Sequence, residues 1–139
     1  ILFAFSGRVV ARFGAARLMV IGALAAAFRW TAMAFNPPLW ALFGLQTLHA
    51  FSFCAAHLGA IYFVTHATPR SLAATAQSLY SALSAGVMMG LMTLAAGPLY
   101  QSFGQKAFLL SACAGAAAFL GALVVAARWN GGPLAGDDE

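Results

Sequence analysis

Hydrophobic residues run almost without interruption through most of the chain, and polar residues mark the breaks between four long apolar segments. The segments cover residues 16–35, 39–66, 72–100 and 106–129. A transmembrane helix needs about 20 mostly apolar residues, so each segment is long enough to cross a bilayer. The pattern predicts four transmembrane helices, which form one domain over residues 1–129.

Short turn signals separate the segments. Asn36-Pro37-Pro38 follows the first segment, and Thr68-Pro69-Arg70 follows the second, with Ser71 as a candidate helix N-cap. Gly97-Pro98 is expected to break or kink the third helix near its far end. Residues 130–139 are rich in Gly, Pro and acids, which predicts a disordered cytoplasmic tail.

Composition places the chain in a lipid environment. Hydrophobic residues make up 63% of it and charged residues only 7%, whereas a soluble domain has about 25% charged residues. The net charge of +4 does not come from a basic cluster interleaved with aromatic residues, which would be typical of nucleic-acid binding. We therefore expect an all-α integral membrane protein that contacts the lipid bilayer and binds no nucleic acid.

The distribution of basic residues predicts an orientation. Successive spans alternate in direction, so five arginines fall on one side of the bilayer and Lys106 falls on the other. The five are Arg8, Arg12, Arg17, Arg70 and Arg128. The positive-inside rule places that side, and the C-terminus with it, in the cytoplasm of what we expect to be a bacterial inner membrane.

Arg29 is the only charge in the first apolar segment. A charge at membrane depth costs roughly 2.5–3.5 kcal/mol on insertion scales, and it is tolerated when it faces a bundle interior, a wet cavity or a partner. No Asp or Glu occurs in any of the four segments to pair with it. Arg29 is therefore a candidate site for a polar or anionic solute.

The second segment carries one stripe of polar and aromatic residues. Gln46, His49, Phe53 and His57 fall within roughly 80° of each other on a helical wheel. Gln46 and His49 lie at a depth similar to that of Arg29, counted from the turn that joins the two helices, so the three can converge. The alternative is that these polar groups only form interhelical hydrogen bonds, worth about 0.6 kcal/mol each.

The third segment has a polar stripe in its first half, and the fourth has almost none. The stripe consists of Gln77, Tyr80, Ser81 and Ser84, and Gly86-x-x-x-Gly90 follows it as a pattern that allows close helix approach. Ser111 is the one clearly polar residue within the fourth apolar run. We expect the fourth helix to be a peripheral support against lipid, with no role in binding.

The sequence contains no hydrolase motif, metal-binding spacing or phosphate-binding loop. His49 and His57 are eight residues apart and lack further ligands, so we expect no metal, no other cofactor and no enzyme activity. If a proton is carried, His49 or His57 is the candidate, because histidine titrates near neutral pH. Cys54 and Cys113 lie in apolar runs and are interpreted as small hydrophobic residues.

The stretch GRVVARFG at residues 7–14 resembles a loop motif of the major facilitator superfamily, Gly-x-x-x-Asp-Arg-x-Gly. The motif positions are Gly7, Arg8, Arg12 and Gly14, followed by Arg17, and Ala11 stands where the motif has its acid. This departure is similar to the weaker second copy of the motif, between helices 8 and 9. The resemblance implies the end of helix 8 followed by helices 9 to 12, with the N-terminal part of the same polypeptide missing.

Four further motifs resemble the phenylpropionate-permease group and its lactose-permease-like relatives. They are RW at 29–30, LQTLHAF at 45–51, ATAQSLY at 74–80 and GPLY at 97–100. Arg29 and His49 match an arginine on helix 9 and a histidine on helix 10 that serve proton coupling and sugar binding in lactose permease. Ser52 stands where that permease has a carboxylate.

The resemblance implies a secondary active transporter, a proton symporter of a small organic solute that works by alternating access between two six-helix halves. An aromatic carboxylate is a candidate substrate. The implied site consists of Arg29, Gln46, His49 and Tyr80, with Gln77 and His57 behind them. Two alternatives stay open: a non-transporting subunit or scaffold whose polar stripes only specify helix packing, and a membrane-embedded enzyme.

Overall fold

The computed structural model describes residues 6–134, which form helices joined by short turns and contain no strand. The all-α prediction is confirmed. The helices are α1 (Ser6–Phe13), α2 (Ala15–Met33), α3 (Leu39–Ala67), α4 (Ala73–Ser81), α5 (Met89–Phe103) and α6 (Phe108–Arg128), with a π-helical segment (Ala82–Met88) between α4 and α5 and 3₁₀ turns at Arg70–Leu72 and Gly104–Ala107.

Three helical stretches within this part of the chain are long and apolar enough to cross a membrane: Ala15–Met33, Leu39–Ala67 and the 59-residue stretch Arg70–Arg128. The third stretch turns back at Gly104, whose φ of 56° favours glycine. Ring contacts establish the reversal.

The Phe108 ring, at the start of α6, lies 5.5 Å from Trp30 near the end of α2. The Trp129 ring, just after α6, lies 5.0 Å from Phe63 near the end of α3. Helix α6 therefore runs antiparallel to α2, so the third stretch contains two successive crossings.

The bundle has two distinct ends. At the Asn36 end, the turn after α2 meets the turn before α6, where Gln105 Nε2 donates a hydrogen bond of 2.9 Å to Asn36 Oδ1. The opposite end, which we call the arginine end, contains the start of α2, the start of α4 and the end of α6. It carries Arg17, Arg70 and Arg128.

Helix α2 is packed between α3 and α6, and glycines allow the close approach. A Cβ atom added at Gly22 would lie 2.6 Å from the Ala56 backbone nitrogen, and one at Gly115 would lie 3.0 Å from Ala27 Cα. Small residues are typical of contacts between helices in membranes, because apolar lipid offers no hydrophobic driving force for helix association. Helix α6 therefore packs along α2, while most of its side chains stay unburied, as expected of a helix that supports the bundle against lipid.

Substituting Gly22 by alanine should destabilise the bundle by about 1–3 kcal/mol, because the new methyl group would overlap the α3 backbone. The measurement is thermal unfolding of the complete protein in detergent. Gly44→Ala is the matched control, since a Cβ there meets nothing within 4 Å, and it should leave stability unchanged or raise it by up to about 1 kcal/mol. Equal unfolding midpoints for the two variants would contradict this packing.

The helix at residues 73–103 diverges from the core after its first turns. Its side chains at residues 81–91 are all exposed. A cleft of about 600 Å³ lies between α5 and α6 and includes Trp30, Met92 and Phe108 among its walls. The π-helical segment lies in this exposed part, and such segments are frequent at functional sites.

Neither Gly97-Pro98 nor Ser71 marks a helix boundary. The third helix continues through Pro98 to Phe103, so Gly97-Pro98 does not break it, and the kink stays a prediction. Transmembrane helices tolerate proline because neighbouring groups can satisfy the freed carbonyl. Ser71 is no N-cap either, because it lies inside the 3₁₀ turn before α4, and neither helix start there has a side-chain capping hydrogen bond.

The first half of the C-terminal tail is docked on the bundle. The Leu134 amide donates to the Ala67 carbonyl at 2.9 Å, and Trp129 Nε1 donates to the Gly132 carbonyl at 2.7 Å. These two contacts hold residues 130–134 against the bundle, and the disorder predicted for residues 130–139 stays a prediction. The remaining tail residues, with Asp137, Asp138 and Glu139, lie outside the described residues.

Candidate functional site

Arg29 is buried inside the helix bundle and is only 5% exposed. Its Nε has no hydrogen-bond partner within the described part of the chain. The guanidinium carbon lies 3.9 Å from the centre of the Trp30 ring, and Trp30 stacks on Phe108 at 5.5 Å. The charge thus has an aromatic neighbour, which is a favourable cation–π contact, but residues 6–134 contain no carboxylate to pair with it.

The register between α2 and α3 brings Arg29 to the level of His49. Gly22 packs against the backbone of Ser52 and Ala56. The two helices are antiparallel, so seven residues further along α2 correspond to seven residues back along α3, which puts Leu45 and His49 opposite Arg29. His49 is therefore the imidazole that lies at the level of the buried Arg29 charge.

Four ring side chains form a column that begins at His49 and continues toward the arginine end. The ring centres of His49 and Phe53 are 6.1 Å apart, and those of Phe53 and His57 are 5.4 Å apart with their planes within 9°. The His57 ring lies 6.5 Å from that of Tyr80 on α4. We call His49, Phe53, His57 and Tyr80 the aromatic column, which joins three of the predicted site residues across two helices.

Ser52 does not belong to this column. It is 4% exposed and faces α2, and its hydroxyl donates to the His49 carbonyl at 3.1 Å. The position that was matched to a carboxylate of lactose permease is therefore filled here by a small residue in a tight helix contact.

The two predicted glutamines have different environments. Gln77 Nε2 donates to the Ile61 carbonyl at 3.1 Å and to Thr65 Oγ1 at 2.7 Å, so its amide joins α4 to α3. This contact is the helix-packing role that sequence reasoning left open for the polar stripes. Gln46 is exposed on α3 and makes no hydrogen bond within residues 6–134.

A pocket of about 240 Å³ lies beside the lower part of the aromatic column, between α2, α3, α4 and α6. Its aromatic wall consists of Phe53, His57 and Tyr80. The remaining lining residues are mostly small and apolar: Met19, Ala23, Ala56, Ala60, Ala118 and Ala122. We call this space the aromatic pocket.

Within residues 6–134, no group of His, Cys, Asp and Glu side chains could hold a metal ion.

Comparison with known proteins identifies the family of this chain. Residues 1–111 match the MFS_1 like family. The chain belongs to this family. The resemblance to the major facilitator superfamily is thereby confirmed, and the family supports a transporter and not an enzyme.

Two curated relatives of the family are similar to the chain. The maltose permease of Geobacillus stearothermophilus is 34% identical over 94 residues, which cover 68% of this chain and 24% of the permease. The probable 3-phenylpropionic acid transporter of Escherichia coli (strain K12) is 33% identical over 112 residues, which cover 81% of this chain and 29% of that protein. The chain thus spans about a quarter of the length of these relatives, and no solved structure matches it.

The residues that resemble the superfamily loop motif adopt a helix instead of a loop. Gly7, Arg8 and Arg12 lie in α1, and Arg17 is exposed in the first turn of α2. Gly14 separates the two helices with a φ of 76°, which glycine adopts without strain. Residues 7–14 therefore provide a sharp junction between α1 and α2, and their assignment to the loop motif stays a prediction.

Sequence reasoning missed the aromatic neighbours of Arg29 and the contribution of α6 to the pocket. Trp30 and Phe108 are far apart in the chain, and no local pattern predicts their contact. The α6 face was detectable, since Gly115, Ala118 and Ala122 are small residues at helical spacing on one side.

Proposed function

We propose that the chain is a membrane-spanning part of a secondary active transporter, which carries a small organic solute by alternating access. The observation that carries this proposal is the buried guanidinium of Arg29, for which residues 6–134 offer no acid. The family and the names of the two relatives support the same class of function. The rest of the same polypeptide supplies the other half of the transporter.

Energetics favour this function over a scaffold. A polar residue that only joins helices contributes about 0.6 kcal/mol, whereas a guanidinium at membrane depth costs several times as much. A scaffold could replace Arg29 with an apolar residue and gain stability. A carrier retains the charge because a solute from the aqueous side compensates it.

The proposed substrate is an aromatic carboxylate. Arginine binds a carboxylate through two parallel hydrogen bonds, and the aromatic column offers ring faces and edges to an aromatic group. One relative is named for 3-phenylpropionic acid, the other for maltose. We favour the acid because a neutral sugar would leave the Arg29 charge uncompensated.

The arginine end is proposed to face the cytoplasm of a bacterial inner membrane, because it carries Arg17, Arg70 and Arg128 while the Asn36 end carries Lys106. The docked start of the tail lies at the same end. The C-terminus is therefore proposed to be cytoplasmic.

Uptake by the complete protein in proteoliposomes tests the function. Radiolabelled 3-phenylpropionate should accumulate when the outside is made acidic, and maltose should not. Collapse of the pH gradient by a protonophore should end the accumulation. Uptake of maltose alone would replace the proposed substrate with a sugar, and absence of uptake for both would contradict the transporter.

His49→Gln should uncouple transport from the proton gradient. His49 is the titratable side chain level with Arg29, so its protonation is proposed to alternate with substrate binding. The variant should lose gradient-driven accumulation while it retains exchange of labelled for unlabelled substrate. His66→Gln is the control, because the imidazole of His66 stacks on Tyr62 at the arginine end and should leave accumulation unchanged. Full accumulation by His49→Gln would exclude His49 as the proton carrier.

A further inference from the structure

We propose that the aromatic pocket holds the ring of the substrate and that the α6 alanines Ala118 and Ala122 determine how large a ring it admits. This proposal rests on the proposed function, because it places the second part of a substrate whose carboxylate binds Arg29.

The walls of the pocket suit a flat ring. Phe53 and His57 are nearly parallel, and Tyr80 closes the space from α4 at an angle of 37° to His57. Aromatic groups pack favourably against other rings, and three of the residues that line this pocket carry rings. A volume of about 240 Å³ is sufficient for a single aromatic ring with a short side chain.

The side of the pocket opposite these rings is made by methyl groups. Ala118 and Ala122 lie one turn apart on α6, and Ala23 and Ala56 contribute the neighbouring surface from α2 and α3. Ala122 is 3% exposed, whereas Ala118 is exposed, and both line the pocket. A larger side chain at either position would enter the space that a ring requires.

The level of Arg29 determines how far the ring and the carboxylate are separated. The pocket begins at Phe53 and includes Ala56, four to seven residues beyond His49 on α3, which corresponds to about 6–10 Å along the axis. The Arg29 guanidinium lies against the Trp30 ring, at the level of His49, and marks the carboxylate end of the proposed site. The geometry fits an acid whose ring and carboxylate are joined by two or three carbon atoms, and it disfavours benzoate.

Uptake of a series of acids by the complete transporter tests both parts of the proposal. The probes are benzoate, 3-phenylpropionate, 4-phenylbutyrate and 3-(2-naphthyl)propionate. The unaltered protein should prefer the two phenyl acids with longer chains over benzoate by at least tenfold in kcat/KM. Ala118→Leu should raise KM for 3-phenylpropionate at least tenfold, and Ala118→Gly should improve uptake of the naphthyl acid.

Ala116→Leu is the matched control, because Ala116 is exposed on α6 and does not line the pocket. It should leave KM for every acid unchanged. The gain expected for Ala118→Gly cannot result from misfolding, so the test does not depend on loss of activity alone.

The possible failures can be told apart. If the unaltered protein carries 3-phenylpropionate but Ala118→Leu and Ala116→Leu give the same KM, the pocket proposal is overturned and the proposed function stands. Equal uptake of benzoate and 3-phenylpropionate overturns the assigned spacing. If no aromatic acid is carried at all, the proposed substrate and the pocket proposal fail together.

Discussion

Arg29→Ala should reduce uptake of an aromatic carboxylate by roughly 30- to 1,000-fold, which corresponds to the loss of about 2–4 kcal/mol of binding. The guanidinium is the sole positive charge buried in the described part of the bundle, and its Nε has no partner there. Removal of this group leaves the substrate carboxylate without a counter-charge at membrane depth. The measurement is initial uptake by the complete protein, normalised to the amount inserted.

The stability of the Arg29→Ala variant shows whether Arg29 serves substrate binding or helix packing. An unpaired buried charge does not stabilise a bundle, so Arg29→Ala should leave the thermal unfolding midpoint unchanged or raise it. Arg29→Lys keeps the charge but loses the planar pair of donors and should recover only part of the uptake. Arg128→Ala, at an exposed arginine, is the control for a lost positive charge. Normal uptake by Arg29→Ala would remove the site assignment, and marked destabilisation would favour a structural role.

The apolar pattern predicted the helices well because membrane insertion depends on average hydropathy over about 20 residues. Errors are concentrated where a local signal competes with packing. Ser71 is not used as a cap, since capping depends on how the surrounding chain folds. The tail is docked through a hydrogen bond from Leu134 to Ala67, which lies far away in the sequence. The composition of residues 130–134 gives no sign of this contact.

The part of the candidate site that lies on a single helix was predictable from the sequence. The α3 stripe of His49, Phe53 and His57 follows from helical periodicity alone, and these rings do adjoin in the structure. The level at which Arg29 meets α3 could not be predicted in this way, because it depends on the register that the close contacts at Gly22 and Gly59 impose. Periodicity reveals which residues share a face but not which helix that face meets, so the part played by α6 was missed.

Leu45→Glu should reduce uptake of the aromatic acid about as strongly as removal of Arg29. Leu45 lies opposite Arg29 in the register of α2 against α3. A carboxylate at this position would pair with the guanidinium and occupy the donors that the substrate needs. The expected loss is again roughly 30- to 1,000-fold in uptake, since the substrate must displace a permanent intramolecular partner.

Leu45→Gln is the matched control, because it has the same shape as the glutamate but no charge. It should retain uptake within about threefold, as a neutral hydrogen bond competes weakly with a charged one. Bundle stability gives a second measure of the pairing. The glutamate variant should unfold at a higher temperature than the glutamine variant at neutral pH, because only the glutamate neutralises Arg29. If both variants lose uptake equally, the effect is steric and the proposed role of the unpaired charge is contradicted; if neither loses uptake, Arg29 does not face Leu45 in the transporting protein.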